Sequence, residues 1–230
     1  MKLALGRMDL VAAQLLVSLC LLSSSTAFAA GKPPETTEDG LKLVKVKGVD
    51  MAYVRPGATL APYKRVMVDP VQVAFSKEWD PEKAGSRMKL SQEEREKIRT
   101  GLGNLFNKTF KEELEKKNGY PVVTEPGPDV LRVTPALVEV YANAPDTMEP
   151  GRTYTFTVSA GSATLIGELR DSETGQILAR FADQQEARSD GFLRLSSSVE
   201  NSAEARSMVS HWARILRSRL DKVKAEPAAQ

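Results

Sequence analysis

The chain has 230 residues, 41% of them hydrophobic, which is enough for one domain with a substantial core and makes a second full domain unnecessary. Its 32 basic and 30 acidic residues nearly balance, so the basic excess typical of nucleic-acid-binding proteins is missing. We therefore expect a single domain that does not bind nucleic acid.

The first 29 residues have the pattern of a secretory signal peptide. A positively charged start precedes an apolar stretch over 10–22, and residues 27–29 (Ala-Phe-Ala) form a typical cleavage site. The apolar stretch is shorter than the roughly 20 residues that span a bilayer as a helix. We expect cleavage after Ala29, with Ala30 as the alternative, and an exported, periplasmic product.

Cys20 is the only cysteine and lies inside the apolar stretch. Either it is lost with the signal peptide, or it carries a lipid that anchors the protein to a bacterial membrane. Leu19 before it is not the small residue that a lipoprotein signal would have at this position. If Cys20 is removed, the mature chain has no thiol, which excludes disulfides, cysteine nucleophiles and cysteine metal ligands.

The first part of the mature chain predicts little regular structure. Residues 30–48 begin with a polar stretch that contains two prolines, and they predict a disordered leader, so the domain is expected over 49–224 with a tail over 225–230. A first strand is expected over 49–55. The stretch 65–75 alternates, but its phase slips at Asp69-Pro70, which indicates a bulge or an edge strand.

Two amphipathic helices are predicted further along. The first begins with a capping box at Ser91 and Glu94, carries apolar residues at spacings of three and four, and ends near Gly119 as a C′ residue. Within it, Gly101 and Gly103 would be explained by close packing against a strand. The second helix covers 201–224.

Alternating apolar residues predict four strands between the two helices. They cover 120–124, 130–141, 154–170 and 176–186, with a hairpin joining the last two. Pro135 argues for an edge position or a bulge, and Gly161 and Gly167 for bulges or bends. The order β-α-β-β-β-β-α predicts an α+β domain, a mainly antiparallel sheet of about five strands with both helices on one face.

The sequence contains no recognisable catalytic constellation. His211 is the only histidine, so a Ser-His-Asp triad would have to use it, and zinc would lack ligands once Cys20 is gone. We expect no metal, no cofactor and no catalytic residue. A carboxylate pair is the alternative, and Glu168 and Asp183 could face each other across the hairpin. The other acidic candidates are Asp69, Asp80, Glu139, Asp146, Glu149 and Asp171.

Three residues are candidates for contact with a partner. Trp79 lies in a charged loop over 76–90, where it either anchors a partner or folds over the edge of the core. Arg214 and Arg217 belong to the basic second helix, whose charges form either a solvated face opposite the core or a surface that lies on an anionic membrane.

Four short motifs, in their order along the chain, resemble an exported bacterial family known as domain of unknown function 3313. They are YVRPG at 53–57, YKRVMVDPV at 63–71, PGPDVLRV at 126–133, and ELRD at 168–171 followed by TGQ at 174–176. The resemblance covers nearly all of the mature chain. Members of this family are often predicted lipoproteins, and the family has no established activity from which a catalytic residue could be transferred.

The sequence and the resemblance together predict an exported envelope protein that binds a partner without catalysing a reaction. The expected partner is an envelope protein or a cell-wall component, and membrane contact would require a lipid on Cys20 or the C-terminal helix. One alternative is a carboxylate-dependent hydrolase of envelope glycans or peptidoglycan. The other is a protein that binds an anionic membrane surface through its basic C-terminal helix.

Overall fold

The computed structural model describes residues 32–77, 79, 91–143, 159–186 and 198–225. The chain divides into two compact units, Met1–Pro34 and Glu35–Gln230, and all of the helices and strands given below belong to the second. The signal peptide and Cys20 lie outside the described residues, so cleavage and lipidation stay predictions.

The second unit contains seven strands and two helices within the described ranges. In chain order they are β1 Lys42–Val44, β2 Met51–Val54, β3 Arg65–Val68, β4 Gln72–Phe75, α1 Gln92–Glu115, β5 Val130–Asn143, β6 Ser159–Asp171, β7 Ile177–Glu186 and α2 Ser198–Ala225. The α+β class is confirmed.

The strands form one mixed sheet in the order β1-β2-β7-β6-β5-β3, with β4 also paired to β5. The antiparallel ladders are β1 with β2, β2 with β7, β7 with β6, and β6 with β5. By contrast, β3 and β4 run parallel to β5. The prediction of about five strands in the order β-α-β-β-β-β-α is therefore wrong in number and order. The parallel pairing follows from α1, because a helical crossover is the usual way to join neighbouring parallel strands.

The stretch predicted as one strand over 65–75 is two strands separated at Asp69-Pro70. Val68 pairs with Val133 and Gln72 with Ala136, so the interruption lies opposite Pro135 in the middle of β5. The edge position predicted for 65–75 is confirmed, whereas Pro135 lies in an interior strand. Proline is tolerated there because the parallel ladder with β3 and β4 is interrupted opposite it, whereas the antiparallel ladder with β6 continues through the pair of Pro135 with Gly167.

Both helices pack on one face of the sheet, as predicted. The buried residues of β5 and β6 alternate and join those of α1 and α2 in one core, which includes Leu131, Val133, Leu137, Leu165, Leu169, Phe106, Phe110, Val209 and Trp212. A bulge at Glu139, whose φ is 51°, shifts the alternation so that Val140 also points into this core.

Three local predictions need correction. β1 lies within 30–48, the expected disordered leader, and Leu41 just before it is fully buried. The stretch 120–124 forms only an isolated bridge between Val122 and Val66 instead of a strand. The left-handed residues after α1 are Lys117 and Asn118, not Gly119. A side chain at Gly119 would instead collide with the main chain of α1.

Candidate functional site

The sheet is wider than the two helices that cover it, and this difference creates a cavity. Six strand positions about 4.8 Å apart span roughly 29 Å, whereas two helices about 10 Å wide cover about 20 Å. Because α1 packs on β4 and α2 on β6, the β1–β2 side of the sheet is covered by loops instead of a helix. An apolar cavity of about 420 Å³ lies beneath these loops and α2.

The cavity is lined almost entirely by apolar side chains. Its floor consists of helix-facing residues of β2, β6 and β7, namely Ala52, Val54, Leu165, Leu169, Ala179 and Phe181. Its roof is formed by α2 and one residue of α1, namely Trp212, Ile215, Leu216, Val223 and Phe110. Alanines at Ala52 and Ala179 leave the space that larger side chains would fill.

Glycine at Gly167 gives the floor its shape. A Cβ at this position would lie 2.5 Å from Cζ of Phe181, because the two residues are direct cross-strand partners and the ring lies over the glycine. The bulge or bend that the sequence suggested at Gly167 is therefore absent, since Gly167 pairs regularly with Phe181. Its missing side chain leaves the space in which the Phe181 ring lies flat beside the cavity.

One wall is the loop over 55–64, which contributes Ala58, Thr59 and Leu60. The Tyr63 hydroxyl donates to the Asp171 carboxylate at 2.9 Å and fastens this loop to the β6–β7 turn. Burial raises the pKa of the Tyr63 phenol to about 12, and the bond to Asp171 adds to the shift. Hydrogen bonds from Thr174, first from its backbone N–H, hold the pKa of Asp171 below its usual range.

The opposite wall is the loop over 45–50, which contributes Val46 and Val49. Val49 N–H donates to the Val46 carbonyl at 3.3 Å, and Gly48 has a φ of 91°, as a turn of this kind requires. An added Cβ at Gly48 would lie 3.2 Å from Cδ1 of Ile215, so the loop packs closely on α2.

Charged residues lie at the edge of the cavity or on the other face of the sheet. Arg219 of α2 lines the cavity, and its Nη2 donates to the Lys47 carbonyl at 3.0 Å. Arg180 also contributes to the lining, but its guanidinium is paired with Glu168 at 2.8 Å and Asp39 at 2.7 Å. The described lining residues include no carboxylate.

The predicted carboxylate pair does not exist. Glu168 pairs with Arg180 in the β6–β7 ladder, whereas Asp183 pairs with Leu165, so the two acids point to opposite faces of the sheet. Asp183 is 3% exposed and accepts the indole N–H of Trp212 at 2.8 Å. Glu168 accepts hydrogen bonds from Arg170 and Arg180.

The remaining acidic candidates do not converge on a site either. Asp69 accepts from Arg132 and Thr134, and Asp171 caps its turn. Glu139 lies exposed in the bulge of β5. Asp80, Asp146 and Glu149 lie outside the described residues. No cluster of three His, Cys, Asp or Glu side chains suited to a metal ion occurs among the residues that the structure describes.

The three predicted contact residues have different surroundings in the structure. Trp79 is 5% exposed, stacks on Phe75 with ring centroids 4.2 Å apart, and lies under the Arg95 guanidinium. Arg217 donates to the carbonyls of Glu113 at 3.3 Å and Lys116 at 2.5 Å, at the end of α1. Arg214 is exposed on α2. Partner contact by any of them stays a prediction.

His211 lies half-buried on α2 next to Trp212 and does not line the cavity. None of the helices in the described ranges has the length and apolarity needed to span a bilayer.

A family model described as "Protein of unknown function (DUF3313)" matches residues 39–216. The chain belongs to this family. The resemblance expected from the four short motifs is thereby confirmed. No curated protein matches the chain in sequence. Since DUF3313 is a family of unknown function, it assigns no role to any residue of the cavity.

Solved structures with a similar arrangement have very different sequences. PelC from Paraburkholderia phytofirmans, solved as a dodecamer, is 11% identical with a TM-score of 0.36, covering 72% of this chain and 96% of its own. A Xanthomonas campestris protein described as DUF330 is 8% identical with a TM-score of 0.40, covering 75% and 92%. Matches this distant assign no role to any residue of this DUF3313 member.

Sequence reasoning missed the cavity because its residues come from five elements and two loops. The only available signal was the number of small residues at helix-facing strand positions, such as Ala52 and Ala179. Their significance depends on the sheet order, which the sequence did not reveal.

Proposed function

We propose that this protein is a non-catalytic binding protein of the bacterial cell envelope, and that its ligand is a single long aliphatic chain held in the apolar cavity. The cavity itself is the observation that carries the proposal. Its volume of about 420 Å³ falls within the roughly 300–1,000 Å³ of small-molecule sites. The predicted signal peptide, and the export that the family resemblance implies, support the location in the envelope.

The apolar lining favours an aliphatic ligand over water. Apolar walls offer water few hydrogen bonds. Each Å² of apolar surface removed from water contributes about 25 cal/mol, so an aliphatic chain that covers the lining gains free energy in proportion to the area it covers.

Neither alternative function has comparable support. A carboxylate-dependent hydrolase needs two acidic groups in one cleft, and the described acidic candidates are paired with arginines, used in caps, buried under Trp212 or isolated. Binding of a membrane through α2 would use its apolar face. That face is buried in the core through Met208, Val209, Leu216 and Leu220, so the helix would have to leave the sheet.

The proposal is tested with the uncharged dye N-phenyl-1-naphthylamine, whose fluorescence rises in apolar surroundings. We expect saturable binding of one dye per chain and its displacement by dodecanol. The double variant Ala52→Leu/Ala179→Leu fills the floor of the cavity and should weaken dye binding about tenfold or more, since each added side chain takes ligand volume. Its melting temperature should not fall, because the added side chains occupy empty space.

Ala182→Leu is the matched control, since Ala182 lies on β7 but faces away from the cavity. It should leave dye binding unchanged. Equal dye binding by wild type and the double variant, or no saturable binding by wild type, would overturn the proposal.

A further inference from the structure

The edge of the cavity carries positive charge that no ion pair between described residues neutralises. Arg219 lies one helical turn from Ile215 and one from Val223, so the aliphatic part of its side chain belongs to the apolar roof. Its guanidinium reaches the solvent-exposed edge, where it donates to the Lys47 carbonyl at 3.0 Å. Exposed Lys45 and Lys47 stand on the same loop.

No acidic partner is seen for Arg219, Lys45 or Lys47 among the described residues. Asp50, the acidic residue of the same loop, accepts the backbone N–H of Gln184 at 2.8 Å. The contrast with Arg180 is informative, since that second lining arginine is held by two carboxylates. Arg219 therefore combines a position at the cavity with donors that remain available.

The guanidinium has five N–H donors, and the bond to Lys47 uses one of them. The remaining donors can form two parallel hydrogen bonds to a carboxylate or a phosphate, which is the geometry that arginine favours. An aliphatic chain in the cavity would place the polar end of its molecule at this edge. Apolar walls next to an available guanidinium are complementary to an amphiphile with one chain and an anionic head.

From this arrangement we infer that the ligand is an anionic single-chain amphiphile, a fatty acid or a monoacyl phosphate, with its chain in the apolar cavity and its head on Arg219. The inference rests on the proposed function, because it requires that the cavity take an aliphatic chain. Lys45 and Lys47 add electrostatic attraction at the edge without fixed geometry. The loop over 45–50 contributes both its valines to the walls and its carbonyl to the position of the guanidinium.

Displacement of N-phenyl-1-naphthylamine tests the inference with ligands of one chain length below their micellar concentrations. Dodecanoate, dodecyl phosphate and uncharged dodecanol are compared. Wild type should bind at least one anionic ligand about tenfold more tightly than dodecanol, as a charge-assisted pair of hydrogen bonds predicts. Dodecanoate against dodecyl phosphate distinguishes a fatty-acid ligand from a phospholipid-derived one. High salt should reduce the anionic preference.

Arg219→Gln should lower the affinity for the anionic ligand about tenfold more than the affinity for dodecanol, because only the anionic head loses the charged donors, whereas both ligands lose the same aliphatic contacts. Arg219→Lys should keep part of the preference, because charge remains and the paired geometry is lost. Arg214→Gln, an exposed position on the same helix that does not line the cavity, should change neither affinity.

The outcomes separate this inference from the proposed function. If wild type binds none of the three ligands, both the proposed function and the role of Arg219 are overturned. Dodecanol binding with no preference for an anion, or equal losses for both ligands in Arg219→Gln, would overturn only the role of Arg219.

Discussion

The contact between Gly167 and Phe181 provides a sensitive test of the cavity floor. In Gly167→Ala the new Cβ would lie 2.5 Å from Cζ of Phe181 and 3.0 Å from Cε1. Carbon atoms pack at about 3.5–4.0 Å, so the ring must recede by about 1 Å. Because Phe181 lines the cavity, the ring can only recede from the sheet by moving into the ligand space.

The expected cost combines two effects. Overpacking of this kind destabilises by about 1–3 kcal/mol, and replacing glycine by alanine recovers about 0.4–1 kcal/mol through the unfolded chain. We therefore expect a net loss of about 1–2 kcal/mol, which lowers the melting temperature by roughly 2–8 °C for a domain of this length. Thermal unfolding followed by circular dichroism measures it, and titration with N-phenyl-1-naphthylamine should show weaker binding.

Two further variants complete the test. Phe181→Leu in the Gly167→Ala background should restore stability, since the smaller side chain leaves room for the new methyl group. Gly101→Ala is the control, because nothing lies within 4 Å of that position in α1, and it should stabilise the helix by up to about 1 kcal/mol. A Gly167→Ala protein as stable as wild type, with unchanged dye affinity, would refute the reasoning.

Three other predictions concern the surroundings of the cavity. Trp212→Phe should lower the free energy of unfolding, measured with urea, by about 1–3 kcal/mol, because buried Asp183 loses a hydrogen-bond donor. The same change should lower it much less in a protein whose Asp183 is already replaced by leucine. Arg217→Gln should lower the free energy of unfolding by about 1–2 kcal/mol, since two carbonyls at the end of α1 lose a charged donor. Arg214→Gln should change the free energy of unfolding by no more than about 0.5 kcal/mol. Asp171→Asn should lower stability at pH 7, because the folded carboxyl has a lowered pKa. The difference in melting temperature between wild type and Asp171→Asn should be fully present above the ordinary carboxyl pKa of 3.8. It should vanish as the pH falls through the lower pKa of Asp171 in the folded protein, which melting curves recorded against pH would show.

Each of the three can fail in a distinct way. Equal losses from Trp212→Phe in both backgrounds would show that its hydrogen bond to Asp183 contributes nothing. A destabilising Arg214→Gln would place that side chain in an unrecognised contact. A difference between wild type and Asp171→Asn that grows toward acid pH would contradict the lowered pKa.

The sequence predicted the elements whose signals are local. The apolar spacing of both helices depends only on neighbouring turns, and the β6–β7 hairpin depends on a short polar connection ending in Gly175, whose φ is 71°. The placement of both helices on one face followed instead from the expected run of sequential strands with two flanking helices. These local patterns were sufficient for the fold class.

The sheet order could not be predicted, because it depends on pairings between distant residues. The parallel ladders of β3 and β4 with β5 bring together residues more than 60 positions apart, and no pattern within either segment indicates the partner. The error for Glu168 and Asp183 arose from register. Asp183 lies opposite Leu165, an odd number of residues from Glu168, which places the two side chains on opposite faces.

The interruption between β3 and β4 has a consequence for the behaviour of the protein in concentrated solution. A sheet exposes unpaired N–H and C=O groups along its two outermost strands, where another chain can add in register and start an aggregate. Here one margin is the three-residue β1, and the other is cut at Asp69-Pro70 into two four-residue pieces. Within the part of the chain that the structure describes, neither margin offers an incoming strand a long uninterrupted template, so the same break that accommodates Pro135 protects these edges against edge-to-edge polymerisation.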